Sequence, residues 1–446
     1  MAKERTLNMT EGSPVRLLIS FSIPMLLGNL FQQLYNIVDS VVVGRLVGAD
    51  ALAAIGTTGS ISFLFFALCN GIGSGAGIVT SQCFGRNDTS MVKSCIANAA
   101  YIMFFFPLVV GTLAFFLAKP LLVLLQTPEV ILADSVAYLK ILCVGLVFVS
   151  VYNYVSSMLR ALGDSRTPLY FLIFSCVLNT FLDIIFVKNF GMGVIGAGVA
   201  TVISQLVSGA LCIWYAIRYN SYFKLTGEDL KINTNIINST VRIGVPLSLQ
   251  FSLIAISSMA LQRVVNSFGA VVVAAFTATS RIEQVIHQPY QTMSAALSTF
   301  TGQNYGAKKH DRMIDGYRKS MLIMAIFSVV MVTVMQLLGR QITAIFVSDA
   351  AVIDMGSEAL RITSIFYLFL GMIYIVRGLL NGVGDAFFAL YNGIVEVIGR
   401  FTVPFILTAI PAIGIWGICW WVGIVWFISG ATAYGRYITF KKKNGL

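Results

Sequence analysis

Residues Thr80–Gly85 read TSQCFG, and residues Thr301–Gly306 read TGQNYG. Each closes a long apolar run, and the two stand 221 residues apart. Working outward at that offset, Ala53-Ala54 returns as Ala274-Ala275 and Gly163-Asp164 as Gly384-Asp385. Gly193-x-x-Gly196 returns as Gly414-x-x-Gly417, and Lys119 and Lys140 return as Arg340 and Arg361. Near the start of each half Ile23-Pro24 matches Val245-Pro246, one residue out of register. A shift that holds over so many landmarks marks a duplicated chain.

The runs between these landmarks predict twelve spans. They lie at about 15–41, 51–80, 94–118, 136–160, 168–189, 194–218, 239–266, 271–300, 317–340, 357–381, 386–409 and 413–438. Each reaches the ~20 residues that a transmembrane helix needs. In lipid such segments satisfy their backbone polar groups only as helices. Of the 446 residues 57% are hydrophobic and only 11% charged, against roughly 25% charged in a soluble domain. The expected fold class is an all-α integral membrane protein, with twelve transmembrane helices in two six-helix lobes related by a parallel repeat. Six is even, so both halves enter the membrane in the same sense, and the repeat axis runs along the membrane normal. The expected domains are an N-lobe over 1–218, a polar linker over 219–238 and a C-lobe over 239–446. Two such lobes enclose a midplane cavity, and rocking them gives alternating access. Pro24, Pro246 and Pro289 lie within spans and can bend them. The small residues of Gly71-Ile72-Gly73-Ser74-Gly75-Ala76-Gly77 permit close helix approach. Ordinary membrane-helix packing accounts for these features equally well.

The net charge of +11 reads as topology. With the N-terminus in the cytoplasm, 21 of the 30 Lys and Arg residues fall on that side. Only Arg45, Lys119, Lys188 and Arg340 fall in the opposite loops, and Lys140, Arg263, Arg281, Arg361 and Arg400 within spans. The bias predicts a multi-pass membrane protein with both termini on the cytoplasmic side. The basic residues also suit contact with anionic lipid. No soluble surface exists for nucleic acid. The first 14 residues are polar and no small-residue cleavage site follows the first apolar run, so no cleaved signal is expected. The seven cysteines are scattered and form no CxxC. They read as small buried hydrophobes rather than a zinc site or a disulfide framework.

Four of the 19 acidic residues fall well inside spans: Asp39, Asp183, Glu283 and Glu396. A charge at a helix centre costs at least ~2.5–3.5 kcal/mol. The repeat partner of Asp39 is Ala260 or Leu261, and that of Asp183 is Pro404. Glu283 meets Ser62 and Glu396 meets Ser175. The scaffold is duplicated but its carboxylates are not. Gln32, Tyr35, Asn36 and Asp39 share one helix face, and Asn179 and Asp183 stack four apart on the fifth span. Asn153 and Thr201 can join them. The predicted ion-coupling group is Tyr35, Asp39, Asn153, Asn179, Asp183 and Thr201, with no Lys or Arg among them. Such a pair of acids can take up and release protons, or bind Na⁺ when ionised. The alternative is a hydrogen-bonded network that only pins helices together. In the second lobe Glu283 and His287 are four apart and can pair, beside a polar stripe of Gln284, Gln288 and Gln291. Glu396 and Arg400 are also four apart and are expected to form an internal ion pair. No metal site and no cofactor is expected, only a coupling ion, H⁺ or Na⁺.

Taken together, these motifs resemble the multidrug and toxin extrusion (MATE) transporters along essentially the whole chain. The resemblance rests on Ile23-Pro24, on LYNIVDSVVVGRLVGADALAAIG from Leu34, and on the TSQCFG/TGQNYG pair. RALGD from Arg160, NTFLDIIFV from Asn179 and RIEQ from Arg281 add to it. It is nearest to the MepA-like and DinF-like bacterial exporters. It implies efflux of organic cations in exchange for H⁺ or Na⁺. In DinF-like members the first-lobe aspartates and nearby Asn and Thr carry the coupling, and Asp39, Asn179, Asp183 and Thr201 match those positions. NorM-like members place an acid on the seventh helix. This chain has none there, only Gln250, Gln262 and Arg263.

The expected partners are small organic cations and the lipid bilayer, with no nucleic acid and no obligate protein partner. The predicted substrate-binding residues are Asp39, Asp183, Glu283, Gln284, His287, Phe276, Met293 and Tyr391, with Tyr35 beside them. Aromatic faces attract cations and methionine adapts to varied shapes. The alternative reading is a flippase for a lipid-linked saccharide, which would want an arginine-rich cavity. Only Arg263, Arg281 and Arg400 offer one. An enzyme is disfavoured, because neither HExxH nor GxSxG occurs. A channel would need a ring of like residues.

Overall fold

The structure is a computed structural model that describes residues 6–266, 268–408, 410 and 416–445. Within it the side chains at 255, 258–264, 266, 270, 405, 408 and 418 lie outside the description. The repeat residue Gly414 and the side chains of Gln262 and Arg263 therefore lie outside the described residues.

Thirteen α-helices occur among the described residues. The first half holds α1 (Pro14–Leu46), α2 (Ala49–Gly85), α3 (Thr89–Leu124), α4 (Glu129–Ala161), α5 (Arg166–Asp183) and α6 (Gly193–Tyr219). The second holds α7 (Thr234–Asn266), α8 (Ala270–Gly306), α9 (His310–Ala344), α10 (Ala350–Ser364), α11 (Tyr367–Gly382), α12 (Ala386–Thr408) and α13 (Gly417–Lys443). Helices α10 and α11 meet at a 53° bend; taken together as one broken span they match the tenth predicted span. With that pair taken as one, nine spans are both long and strongly apolar among the described residues. Helices α7, α8 and α13 complete the set by length, at 33, 37 and 27 residues. Large apolar side chains such as Leu113, Phe116, Val329 and Leu337 are outward and exposed. Only an apolar solvent makes that arrangement favourable.

The duplication extends to the backbone. Helices α2 and α8 have 37 residues each. Positive φ recurs at the repeat offset: Gly163 at 88° and Gly384 at 90°, Asn87 and Lys308 both at 58°. Asn87 and Lys308 are the only such non-glycine pair among the described residues, and they turn the chain out of the two motif helices α2 and α8.

Two compact units are present. One is Met1–Met9 with Ile23–Ser252, the other Thr10–Ser22 with Leu253–Leu446. Helix α1 thus changes unit beside Pro24, and α7 changes unit after Ser252. The segment 219–238, expected as a linker, falls within the first unit. There Asn98 of α3 donates to Lys231 O and accepts from Asn233 N. Tyr101 donates to Leu230 O. The glycines of α2 do permit a close approach. A Cβ at Gly71 would lie 2.2 Å from Ser248 N, and one at Gly75 2.6 Å from Gly244 N. Helix α2 therefore packs backbone to backbone on the first part of α7, and Ser248 Oγ donates to Leu68 O at 2.6 Å. In the second unit Lys309 Nζ donates to Thr10 O and Arg312 to Glu11 O. Ser22 Oγ contacts Met293 Sδ.

Candidate functional site

In the first unit α1, α5 and α6 bring five polar side chains together. Tyr35 and Asp39 are one turn apart on α1, and Asn179 and Asp183 one turn apart on α5. The Asn179 amide satisfies both its atoms in one orientation only. Its nitrogen donates to Asp183 Oδ2 at 2.7 Å and to Tyr35 Oη at 3.3 Å, and its oxygen accepts from Thr201 N at 3.1 Å. Tyr35 Oη lies 3.5 Å from Thr201 Oγ1. The Asp39 and Asp183 carboxyls lie within hydrogen-bond reach of each other. Asp183 is fully buried, Asn179 nearly so, and Asp39 half-buried.

Electrostatically the site is unbalanced. No described Lys or Arg forms an ion pair with either aspartate. Oδ1 of each is buried and receives no donor from any other described group. Two ionised carboxylates in contact repel. A proton or a small monovalent cation between them removes that repulsion. The surround is apolar, with Val43, Ala51, Leu142, Val187, Val194 and Ala197 packed together beside it.

Sequence spacing overlooked three features here. Tyr138 of α4 is buried in the same apolar cluster and close enough to act electrostatically on both aspartates. Gln205, one turn from Thr201 on α6, has a buried Oε1 without a partner among the described residues. Its i, i+4 spacing from Thr201 was the available signal. Asp183 is also the last α-helical residue of α5, where the chain passes into a π-helical turn, Ile184–Asn189. Such turns widen the helix and concentrate at functional sites. Asn153 is half-buried on α4 and makes no hydrogen bond to the group among the described residues.

The second unit resolves its acids differently. Glu396 does not pair with Arg400 as expected. It pairs with Arg377 of α11 at 2.6 Å, with both side chains 7% exposed. Arg377 Nε donates to Asn392 Oδ1, and Asn392 Nδ2 donates to Thr432 Oγ1 and Ser429 O. Three helices, α11, α12 and α13, are tied at one point. Arg377, counted with the cytoplasmic loops from the sequence, is a buried residue 6% exposed. Arg400 instead donates to Ser257 Oγ at 3.1 Å. The i, i+4 spacing permits contact on one helix but does not compete with a better partner on another. Glu283 and His287 also do not pair. The Glu283 carboxyl lies close to the Thr363 hydroxyl, which donates to Leu360 O. The His287 ring lies against Trp426 and Tyr374, and its Nε2 is buried without a partner among the described residues. Arg400 lies near enough to act electrostatically on both.

The remaining second-lobe candidates do not converge. Phe276 lines a small apolar cleft with Val272, Thr279, Met355, Trp416 and Cys419. Tyr391 is exposed and lines a separate open groove of about 450 Å³ with Asp385, Phe387, Phe388 and Arg436. Met293 is buried and Gln284 exposed. No group of three His, Cys, Asp or Glu able to hold a metal occurs among the described residues.

Residues 24–185 and 246–406 match the model of the MatE family, once in each half of the repeat. The chain belongs to the MatE family. It is a transporter of that family, with several membrane-spanning helices. It is 29% identical to the "Probable multidrug resistance protein YpnP" of Bacillus subtilis over 97% of this chain and 98% of that one. It is 23% identical to the "Multidrug export protein MepA" of Staphylococcus aureus, over 94% of this chain and 92% of the relative. A solved structure of a MOP superfamily transporter from Pyrococcus furiosus shares the fold with a TM-score of 0.91. That likeness is at 22% identity and covers 99% of this chain and 100% of that one.

Proposed function

We propose that this MatE transporter is a secondary antiporter of the bacterial cytoplasmic membrane. It exports organic cations in exchange for H⁺ or Na⁺, and Asp39 and Asp183 hold the coupling ion. The observation that carries the reading is a half-buried and a fully buried carboxyl within hydrogen-bond reach of each other, with no ion-pairing Lys or Arg among the described residues and an orphaned oxygen on each. Tyr35, Asn179 and Thr201 orient the pair. When both carboxyls are ionised and empty, an organic cation replaces the missing charge. When a proton or Na⁺ returns from outside, the attraction for that cation falls and it leaves. The desolvation cost of the empty, charged pair favours exchange over leak. The export of drugs by relatives such as the Staphylococcus aureus protein supports the substrate class.

The flippase reading gains nothing from the buried Arg377, because Glu396 already neutralises it. The deciding experiment uses proteoliposomes, a fluorescent lipophilic cation, and pH and Na⁺ gradients imposed separately. Movement of the cation under one of the gradients supports antiport and names the ion. Movement under neither gradient overturns it and returns the flippase reading.

A further inference from the structure

A second site lies at the elbow between α2 and α3. Cys83 and Cys95 are 12 residues apart in sequence, and the turn of the elbow brings their sulfurs to 3.5 Å. Both thiols are free. Among the seven cysteines no other pair is in contact within the described residues. Both are buried, but Cys83 is only three residues from the exposed elbow Arg86–Ser90.

The scaffold does not need these sulfurs. The repeat partner of Cys83 is Asn304, whose Nδ2 donates to Phe300 O at 2.7 Å. The repeat partner of Cys95 is Gly316, and the Phe300 ring lies so close that a Cβ there would meet it at 2.3 Å. The matching elbow of the second unit is thus packed by a ring over a glycine. In the first unit a dithiol occupies the same place. It also sits between two anchors of the segment 219–238. Phe84, next to Cys83, packs edge-on against Tyr222 at 5.5 Å. Asn98, one turn beyond Cys95, holds Lys231 and Asn233.

We propose that Cys83 and Cys95 form a dithiol modification site that a peroxide closes to a disulfide and that a trivalent arsenical bridges. In the first reaction one thiolate attacks the peroxide, the O–O bond breaks, and a sulfenic acid and water form. The second thiolate attacks that sulfur, the S–S bond forms and a second water leaves. The two thiols lose two electrons, and the peroxide takes them up. A contraction of about 1.5 Å brings the sulfurs to bonding distance. In the second reaction phenylarsine oxide condenses with both thiols. Two As–S bonds form and its oxygen leaves as water. Either product staples the end of α2 to the start of α3, beneath the docked 219–238 segment. The site is independent of the transport reading.

The test is thiol counting on the purified full-length protein. The protein is treated with hydrogen peroxide or phenylarsine oxide, denatured, labelled with N-ethylmaleimide and weighed intact. Untreated protein takes seven labels. We expect five after either reagent, with the full count restored by dithiothreitol. Arg86 and Lys93 separate the two cysteines, so trypsin should yield two peptides joined by the Cys83–Cys95 disulfide. Cys83→Ser should keep all six of its labels under the same treatment. Seven labels after both reagents would overturn the proposal. So would a disulfide between any other pair, or a loss of two labels in Cys83→Ser.

Discussion

The two units bury acids in the same kind of apolar interior and treat them in opposite ways. In the second unit Glu396 has a fixed cation, Arg377, at 2.6 Å, and the pair is tied into Asn392 and Thr432. Glu283 and His287 likewise lie within the influence of Arg400. In the first unit Asp39 and Asp183 lie within reach of each other with Asn179 donating to Asp183, and no described Lys or Arg pairs with either. A buried acid with its own arginine forms a pair of no net charge, which serves packing. On the proposed function, the acids without one hold a mobile ion instead. Neither arrangement recurs in the repeat partner, so the duplicated helices supply a frame on which each unit carries its own electrostatics.

The sharpest way to break this comparison is to neutralise one acid of each kind. Asp39→Asn or Asp183→Asn should reduce gradient-driven transport in proteoliposomes to background. Chromatographic profile and helical circular dichroism should not change, because no buried charge loses a partner. Arg377→Met should do the reverse. It leaves Glu396 buried and unpaired, at a cost of about 3–5 kcal/mol, read as a lowered unfolding temperature in detergent. The double change Arg377→Met with Glu396→Leu should recover most of that loss, since an apolar pair of similar volume replaces a buried ion pair at little cost. Failure of the double variant to recover would mean that the pair does more than pack three helices.

A smaller effect is expected at the edge of the first site. Thr201→Val removes the hydroxyl beside Tyr35 and should weaken the group by about 0.5–1.5 kcal/mol. In transport assays that appears as a roughly two- to tenfold higher ion concentration at half-maximal rate. Asn153→Ala should change that value by less than about twofold, because Asn153 makes no hydrogen bond to the group. A collapse of coupling in Asn153→Ala would show that the site is larger than the five side chains around Asp39.

The spans and the duplication were legible because both are written in long-range pattern. An apolar run of ~20 residues is hard to mistake, and TSQCFG with TGQNYG fixes the offset. The pairing of Asp39 with Asp183 was half legible. Shared faces on α1 and α5 followed from helical spacing, but the rotation that turns both faces inward did not. The π-turn after Asp183 was not legible, since IIFVKN has no residue that distinguishes five-residue from four-residue hydrogen bonds. The bend at Ile365-Phe366 carries neither proline nor glycine. Arg377, Tyr138 and the Cys83–Cys95 contact were missed for one reason. Each acts across a helix interface, and spacing along one helix contains no information about its neighbour.

The central claim is that an organic cation and a mobile ion compete for the same two carboxyls. It is tested most directly by titrating the purified protein with tetraphenylphosphonium in weak buffer. Released protons are read with a pH dye and displaced Na⁺ with a radioactive tracer. The account predicts release of one ion or the other on cation binding, and no release from Asp39→Asn. Cation binding that releases neither ion, or release undiminished in Asp39→Asn, would contradict it.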